Sequence, residues 1–350
     1  MSMTGAIISG SFALQFFERV NWKDSDLDVF VEYTEKANAI ISGGFTALCH
    51  YVETVEGYKY KSDSTGSDAY ENTKDLEEVF KAPIKSESHP NKIKIRTYMK
   101  DGKKIQIIGT KRLPAQAIIR DFYATMVVNI ITGTSSYGVY PRPTFIEHKG
   151  YMLLQLDEYR RKLLKKYARR GWAVKEVMGA EDEYPNSPIR SHRRICDKYT
   201  WKIPLGNFVG ETAIPDSVLE LSTFRIFAPS EQSRSENENE NENSYYSVRA
   251  EMFQAQVLRH RYLVRDYDWM DGLATHTNSL CKTELRKLCS EDRPDHYDEK
   301  LQRPEMWYNL MIQKPDYWTY WDDSLPFWLA SWEKKEIRSG AFVALDRRTI

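Results

Sequence analysis

Apolar residues recur along this chain in two periods, and the changes of period outline its elements. Residues 6–9 form a short apolar run of strand type. Over residues 12–19, Leu14, Phe16 and Phe17 fall at helical spacing, and over residues 26–33 acidic and apolar positions alternate as in a strand. The chain is therefore expected to open with strand, turn, helix and strand. Two β-rich runs, 92–99 and 103–108, flank Lys100-Asp101-Gly102, and an Asp-Gly pair between such runs predicts a hairpin. From 151 to 172 the period becomes helical, with Leu153, Leu156, Leu163 and Tyr167 on one stripe. Residues 248–267 read as a further amphipathic helix, and the rest is rich in Trp, Tyr and Pro.

Two polar stretches interrupt the pattern. Residues 236–243 are four Glu-Asn pairs inside the polar tract 230–244, which has no apolar area to bury and reads as a linker or long surface loop. Residues 63–75 are similarly polar and are expected to be a surface insertion. No repeat of 20 to 50 residues is visible. The expected fold class is α+β, a mixed sheet with flanking helices over residues 1–229, followed by the linker 230–244 and a mainly helical, Trp-rich region over 245–350.

Composition narrows the functions. Fifty Lys plus Arg balance fifty Asp plus Glu, so no global attraction to nucleic acid or anionic membrane is encoded and any basic site must be local. A processive polymerase, which needs an extended basic channel, is disfavoured. Four Cys in 350 residues are too few for a disulfide scaffold and fit a reducing compartment, the cytoplasm or nucleus. The apolar start has no preceding basic residue and is broken by Gly5, Ser9, Gly10 and Ser11, unlike a secretory signal. The longest apolar stretch, 124–131, is far shorter than the roughly 20 residues of a membrane helix. A soluble protein without a membrane partner is expected.

The densest chemistry lies between Gly10-Ser11 and Ser25-Asp26-Leu27-Asp28, thirteen residues apart. On a strand, Asp26 and Asp28 point to the same face. Two carboxylates side by side repel, which is tolerable if they are solvated or if a divalent cation bridges them, and hard oxygen ligands select Mg²⁺ or Mn²⁺. The Gly-Ser pair upstream suits the opening of a helix, Gly for a tight turn and Ser as cap, where free backbone N–H groups can bind a phosphate.

These residues resemble the nucleotidyltransferase superfamily built on the DNA polymerase beta-like catalytic fold, whose signature is Gly-Ser, a helix, then Asp-hydrophobic-Asp on a strand. The string Ser9-Gly10-Ser11-Phe12-Ala13-Leu14-Gln15-Phe16-Phe17 with Ser25-Asp26-Leu27-Asp28-Val29 is most similar to uncharacterised fungal members. Further similarity runs through Lys104-Ile105-Gln106-Ile107-Ile108, Met126-Val127-Val128-Asn129, Tyr140-Pro141-Arg142-Pro143-Thr144-Phe145 and Lys166-Tyr167-Ala168-Arg169-Arg170-Gly171-Trp172, covering roughly residues 5–205. The resemblance implies transfer of a nucleoside monophosphate from an NTP, ATP first among them, to an acceptor, with pyrophosphate leaving. It implies Asp26 and Asp28 as metal ligands, and Gly10, Ser11 and Ser25 as nucleotide-binding residues. The family's third carboxylate sits on a later strand, and the matching position here is Gln106, an amide that can ligate a metal but accepts no proton from a hydroxyl. A catalytically degenerate member that binds without turnover is the alternative. Asp121, following Arg120, is a possible substitute carboxylate, against a surface or capping role; Asp24 reads as a turn residue.

Seven of the eleven residues at 160–170 are basic, a face that can meet phosphates or remain simply solvated; Lys166, Arg169 and Arg170 lie in the segment similar to the family. With zero net charge, a small-molecule or protein acceptor is slightly favoured over RNA. His276, Cys281, Cys289 and His296 offer zinc-type ligands at a spacing that matches no paired knuckle, and buried Cys with surface His is the plainer reading. Trp307, Trp318, Trp321, Trp328 and Trp332 are read chiefly as packing residues rather than a stacking surface.

Overall fold

The computed structural model describes residues 1–23, 25–33, 42–65, 94–154, 158–176, 178–179, 187, 189, 192–206, 212–227, 246–265, 267–293 and 314–339. Among these residues the chain is a mixed α+β structure around one large sheet. Its strands are β1 Ile7–Ser9, β2 Leu27–Glu32, β3 Lys59–Thr65, β4 Lys94–Lys100, β5 Lys103–Thr110, β6 Asn129–Ile131, β7 Ser135–Gly138, β8 Lys149–Tyr151, β9 Ala173–Lys175, β10 Arg193–Arg194, β11 Trp201–Pro204, β12 Thr223–Phe227, β13 Ser247–Arg249, β14 Glu251–Phe253 and β15 Tyr262–Val264. The helices are α1 Gly10–Glu18, α2 Ser42–Thr54, α3 Pro114–Asp121, α4 Glu158–Arg169, α5 Asp216–Leu221, α6 Tyr267–Lys287 and α7 Leu325–Ser339.

The large sheet has the order β11-β7-β6-β1-β2-β5-β4-β3. The β2–β5 pair is parallel and the other neighbours are antiparallel. Because side chains alternate along a strand, β2 and β5 divide their residues between two layers. Val29, Val31, Ile105 and Ile107 pack with Phe45, Leu48 and Val52 of α2. Phe30 and Ile108 face the other way, into a core built with Leu14 of α1 and Ile118 and Ile119 of α3. Parity therefore puts Asp28 and Gln106 on the α1 and α3 side. The Asp101-Gly102 hairpin forms as its residues predict, both in the positive-φ region at 49° and 74°.

Two local expectations are corrected. The helix expected over 248–267 does not form: residues 247–264 hold β13, β14 and β15, and helix begins only at Tyr267. Tyr262, Leu263 and Val264 are all buried, and a short continuous apolar run is one that periodicity alone assigns poorly. The helix expected from 151 begins at Glu158, with Tyr151 and Leu153 buried ahead of it and β8 and β9 pairing in parallel around it. Of the polar stretch 63–75, residues 63–65 fall in β3, where Asp63 lies opposite Arg96 and forms an ion pair with it at 2.9 Å, and residues 66–75 lie outside the described residues.

The tract 230–244 lies outside the described residues, and the strands flanking it, β12 and β13, pair with each other. Tyr246, Val248, Ala250 and Leu263 join the core that contains α1 and α3. A second core gathers Trp269, Leu273, Cys281 and Leu285 of α6 with Trp318, Leu325 and Leu329; Trp321, Trp328 and Trp332 pack partly buried against it. These Trp side chains serve packing, and Trp307 lies outside the described residues. His276 lies against the Trp328 ring, Cys281 is buried, Cys289 is exposed and His296 is undescribed. No helix among the described residues is long and apolar enough to cross a membrane.

Candidate functional site

Strand β1 ends at Ser9, paired with Asp28 of β2, and the chain turns directly into α1. Gly10 makes that turn with φ of +70°, and a Cβ built on it would stand 3.2 Å from Asp28 Oδ2. Only glycine allows the helix start and the carboxylate to come this close without strain. No side chain caps the helix: Ser9 stands at the N-cap but its hydroxyl donates to the Asn129 carbonyl instead, and Ser11, expected to cap, has its hydroxyl 2.6 Å from that of Ser25. The first N–H groups of α1 are thus without a side-chain cap beside a cleft.

Gly10, Ser11, Asp26, Asp28 and Lys166 form the polar lining of this cleft, which encloses about 430 Å³ including its open mouth. Phe122 and Tyr123, just after α3, with Val127, Leu163 and Tyr167, make the apolar wall. Asp28 is 4% exposed. Asp26, the residue before β2, is partly buried, its Oδ2 2.6 Å from Lys104 Nζ on β5. Gln106 lies directly opposite Asp28 in the parallel pair. It is 1% exposed, and its Nε2 has no hydrogen-bond partner among the described residues.

The basic helix contributes unequally, for a geometric reason. Residues 163, 166, 167 and 170 share one stripe of α4 and the turn that follows it, and Leu163 and Tyr167 are buried on it. Lys166 is carried into the cleft with them. Arg170 stacks on Trp22, 4.0 Å from the ring centre, and also lies over the Tyr167 ring at 5.6 Å. Arg169 falls off the stripe and is exposed, away from the cleft lining.

Asp121 ends α3 and pairs with Arg112 at 3.3 Å rather than lining the cleft. Burial pushes its carboxyl up to about 6, against the opposing pull of Arg112 and Arg120. Asp24 is outside the described residues.

Among the described residues no group of three or more His, Cys, Asp or Glu is placed to hold a metal ion. Asp26 and Asp28 nevertheless suit Mg²⁺ or Mn²⁺, which take one or two carboxylates and complete their shell with water and phosphate oxygens. The close approach of Gly10 to Asp28 adds a place where a phosphate on the helix start and a cation on the carboxylate would meet.

Sequence reasoning passed over Lys104 as a partner of Asp26 and over the wall formed by Phe122, Tyr123, Leu163 and Tyr167. The signal for Leu163 and Tyr167 was present in the helical stripe, whereas the Lys104 contact depends on pairing between strands more than seventy residues apart. No family model, curated protein or solved structure matches the chain.

Proposed function

We propose that this chain is a metal-dependent nucleotidyltransferase, moving a nucleoside monophosphate from an NTP, expected to be ATP, to an acceptor in the cytoplasm or nucleus. The supporting observation is the convergence of an uncapped helix start at Gly10 and Ser11 with Asp26 and Asp28 in one cleft. The N–H groups of α1 and the Ser11 hydroxyl bind β- and γ-phosphate oxygens, favoured by the positive end of the helix dipole. Lys166, which lines the same cleft from α4, offsets phosphate charge. Asp26 and Asp28 would hold a Mg²⁺ or Mn²⁺ ion, which when bound would neutralise charge at the α-phosphoryl group and lower the pKa of the acceptor. The apolar wall excludes water, which strengthens each of these interactions, and its rings offer a face to the base. Zero net charge favours a small-molecule or protein acceptor over RNA.

A second reading, nucleotide or partner binding without turnover, is favoured by Gln106. Its amide occupies the strand position opposite Asp28 and accepts no proton from an attacking hydroxyl.

Incubation with each α-labelled NTP, Mg²⁺ or Mn²⁺ and a cell extract tests both. Label should pass to an acceptor with the native chain and be lost with Asp26→Ala and with Asp28→Ala. Binding without transfer, converted to transfer by Gln106→Asp, supports the second reading. Absence of metal-dependent binding to any NTP rejects the transferase and nucleotide-binding readings and leaves partner binding.

A further inference from the structure

We infer that Lys104 is a resident counter-ion for Asp26, which a divalent cation must displace and which makes cation binding depend on the nucleotide; this rests on the nucleotidyltransferase reading above. The ammonium stands 2.6 Å from Asp26 Oδ2, and the two side chains are only 25% and 23% exposed. Their spacing is set by the sheet. Lys104 precedes Ile105, which pairs with Leu27 next to Asp26, and β5 is held between β2 and β4.

Asp26 and Asp28 line the same cleft, so in the cation-free protein their like charges repel. Lys104 relieves that repulsion. The same contact also opposes a metal: the oxygen facing the ammonium is partly spent, and a second positive charge is repelled on approach. A cation that takes Asp26 must turn Lys104 away. Tethered to β5 beside the cleft, the released ammonium then needs a new anionic partner. A triphosphate supplies one, so cation and nucleotide should bind together better than the cation binds alone. Lys104 acts in this way as a positioning residue, setting the state of Asp26 without touching the reacting atoms.

Mn²⁺ binding to the full chain, followed by the electron paramagnetic resonance signal of free Mn²⁺, tests this with and without an α,β-methylene ATP analogue. Lys104→Met and the milder Lys104→Gln should each bind Mn²⁺ alone roughly tenfold more tightly than the native chain. Lys104→Arg should retain the native affinity, and Lys104→Met should have no effect in an Asp26→Asn background. The analogue should raise Mn²⁺ affinity more in the native chain than in Lys104→Gln. Equal Mn²⁺ affinities for the native chain and whichever neutral variants keep a native circular dichroism spectrum would overturn the role of Lys104. If Asp28→Asn still loses Mn²⁺ in that case, the nucleotidyltransferase reading survives. No Mn²⁺ binding by any of these proteins, analogue present or not, overturns both.

Discussion

Gly10 carries more of the cleft's geometry than any charged residue, because the helix start and Asp28 can meet only where no side chain intervenes. Its φ of +70° is disfavoured for an L residue, and a Cβ would press on Asp28 Oδ2 at 3.2 Å. Gly10→Ala should therefore cost about 1–2 kcal/mol in urea unfolding and also weaken nucleotide binding. Gly43→Ala is the matched control: it lies in α2 with nothing within 4 Å of the new methyl and should be neutral or slightly stabilising. Equal losses at the two positions would remove Gly10 from the special role given to it. At this scale the residue types in Gly10-Ser11 and Asp26-Leu27-Asp28 were readable because their chemistry is local. The Ser11–Ser25 hydroxyl contact was not, since it joins the start of α1 to the residues that lead into β2, fourteen positions on.

Elements divide along the same line. The Asp101-Gly102 hairpin was legible because a two-residue turn with two positive φ values is encoded in the turn itself. Strands β13 to β15 were not legible, because they exist through partners: Val248 pairs opposite Ile226, and Leu263 opposite Met252. The pairing of β12 with β13 leaves a 19-residue connection between Phe227 and Ser247 that includes the Glu-Asn tract. Deleting residues 236–243 shortens that connection, and loop closure then costs less by about 0.5 kcal/mol. The thermal midpoint of the deletion variant should stay within a degree or two of the native value. A fall of many degrees would mean the tract contributes packing.

Across the whole molecule, the first and last parts are joined by polar contacts as well as by a shared core. Arg261 reaches Glu32 at the end of β2 at 2.7 Å, Gln116 of α3 donates to the Ala250 carbonyl at 2.8 Å, and Arg120 pairs with Glu251 at 2.8 Å. The same region holds the clearest pH response. Burial, with Arg265 and Arg225 nearby, pushes the His192 imidazole down to about 3. The unfolded chain takes up this proton near 6.5 while the folded protein does not, so unfolding binds protons over that interval and stability falls as pH drops from about 6.5 toward 3. His192→Gln should flatten the loss. Thermal midpoints at pH 7 and pH 5 should differ less in the variant than in the native chain, and an unchanged difference would remove His192 as the cause.

The sequence by itself determined the early order of strand, helix and strand, the hairpin, and the presence of a Gly-Ser start and an Asp pair within twenty residues. Periodicity, turn conformation and side-chain chemistry act over a few residues and need no partner. The tertiary structure decided which of these groups share a space. Parallel pairing of β2 with β5 set Gln106 opposite Asp28 and brought Lys104 to Asp26. The packing of Leu163 and Tyr167 chose Lys166 rather than Arg169 for the cleft. Strand register and helix rotation are settled by burial between distant segments, and a shift of one residue in either would carry a charged group to the opposite face.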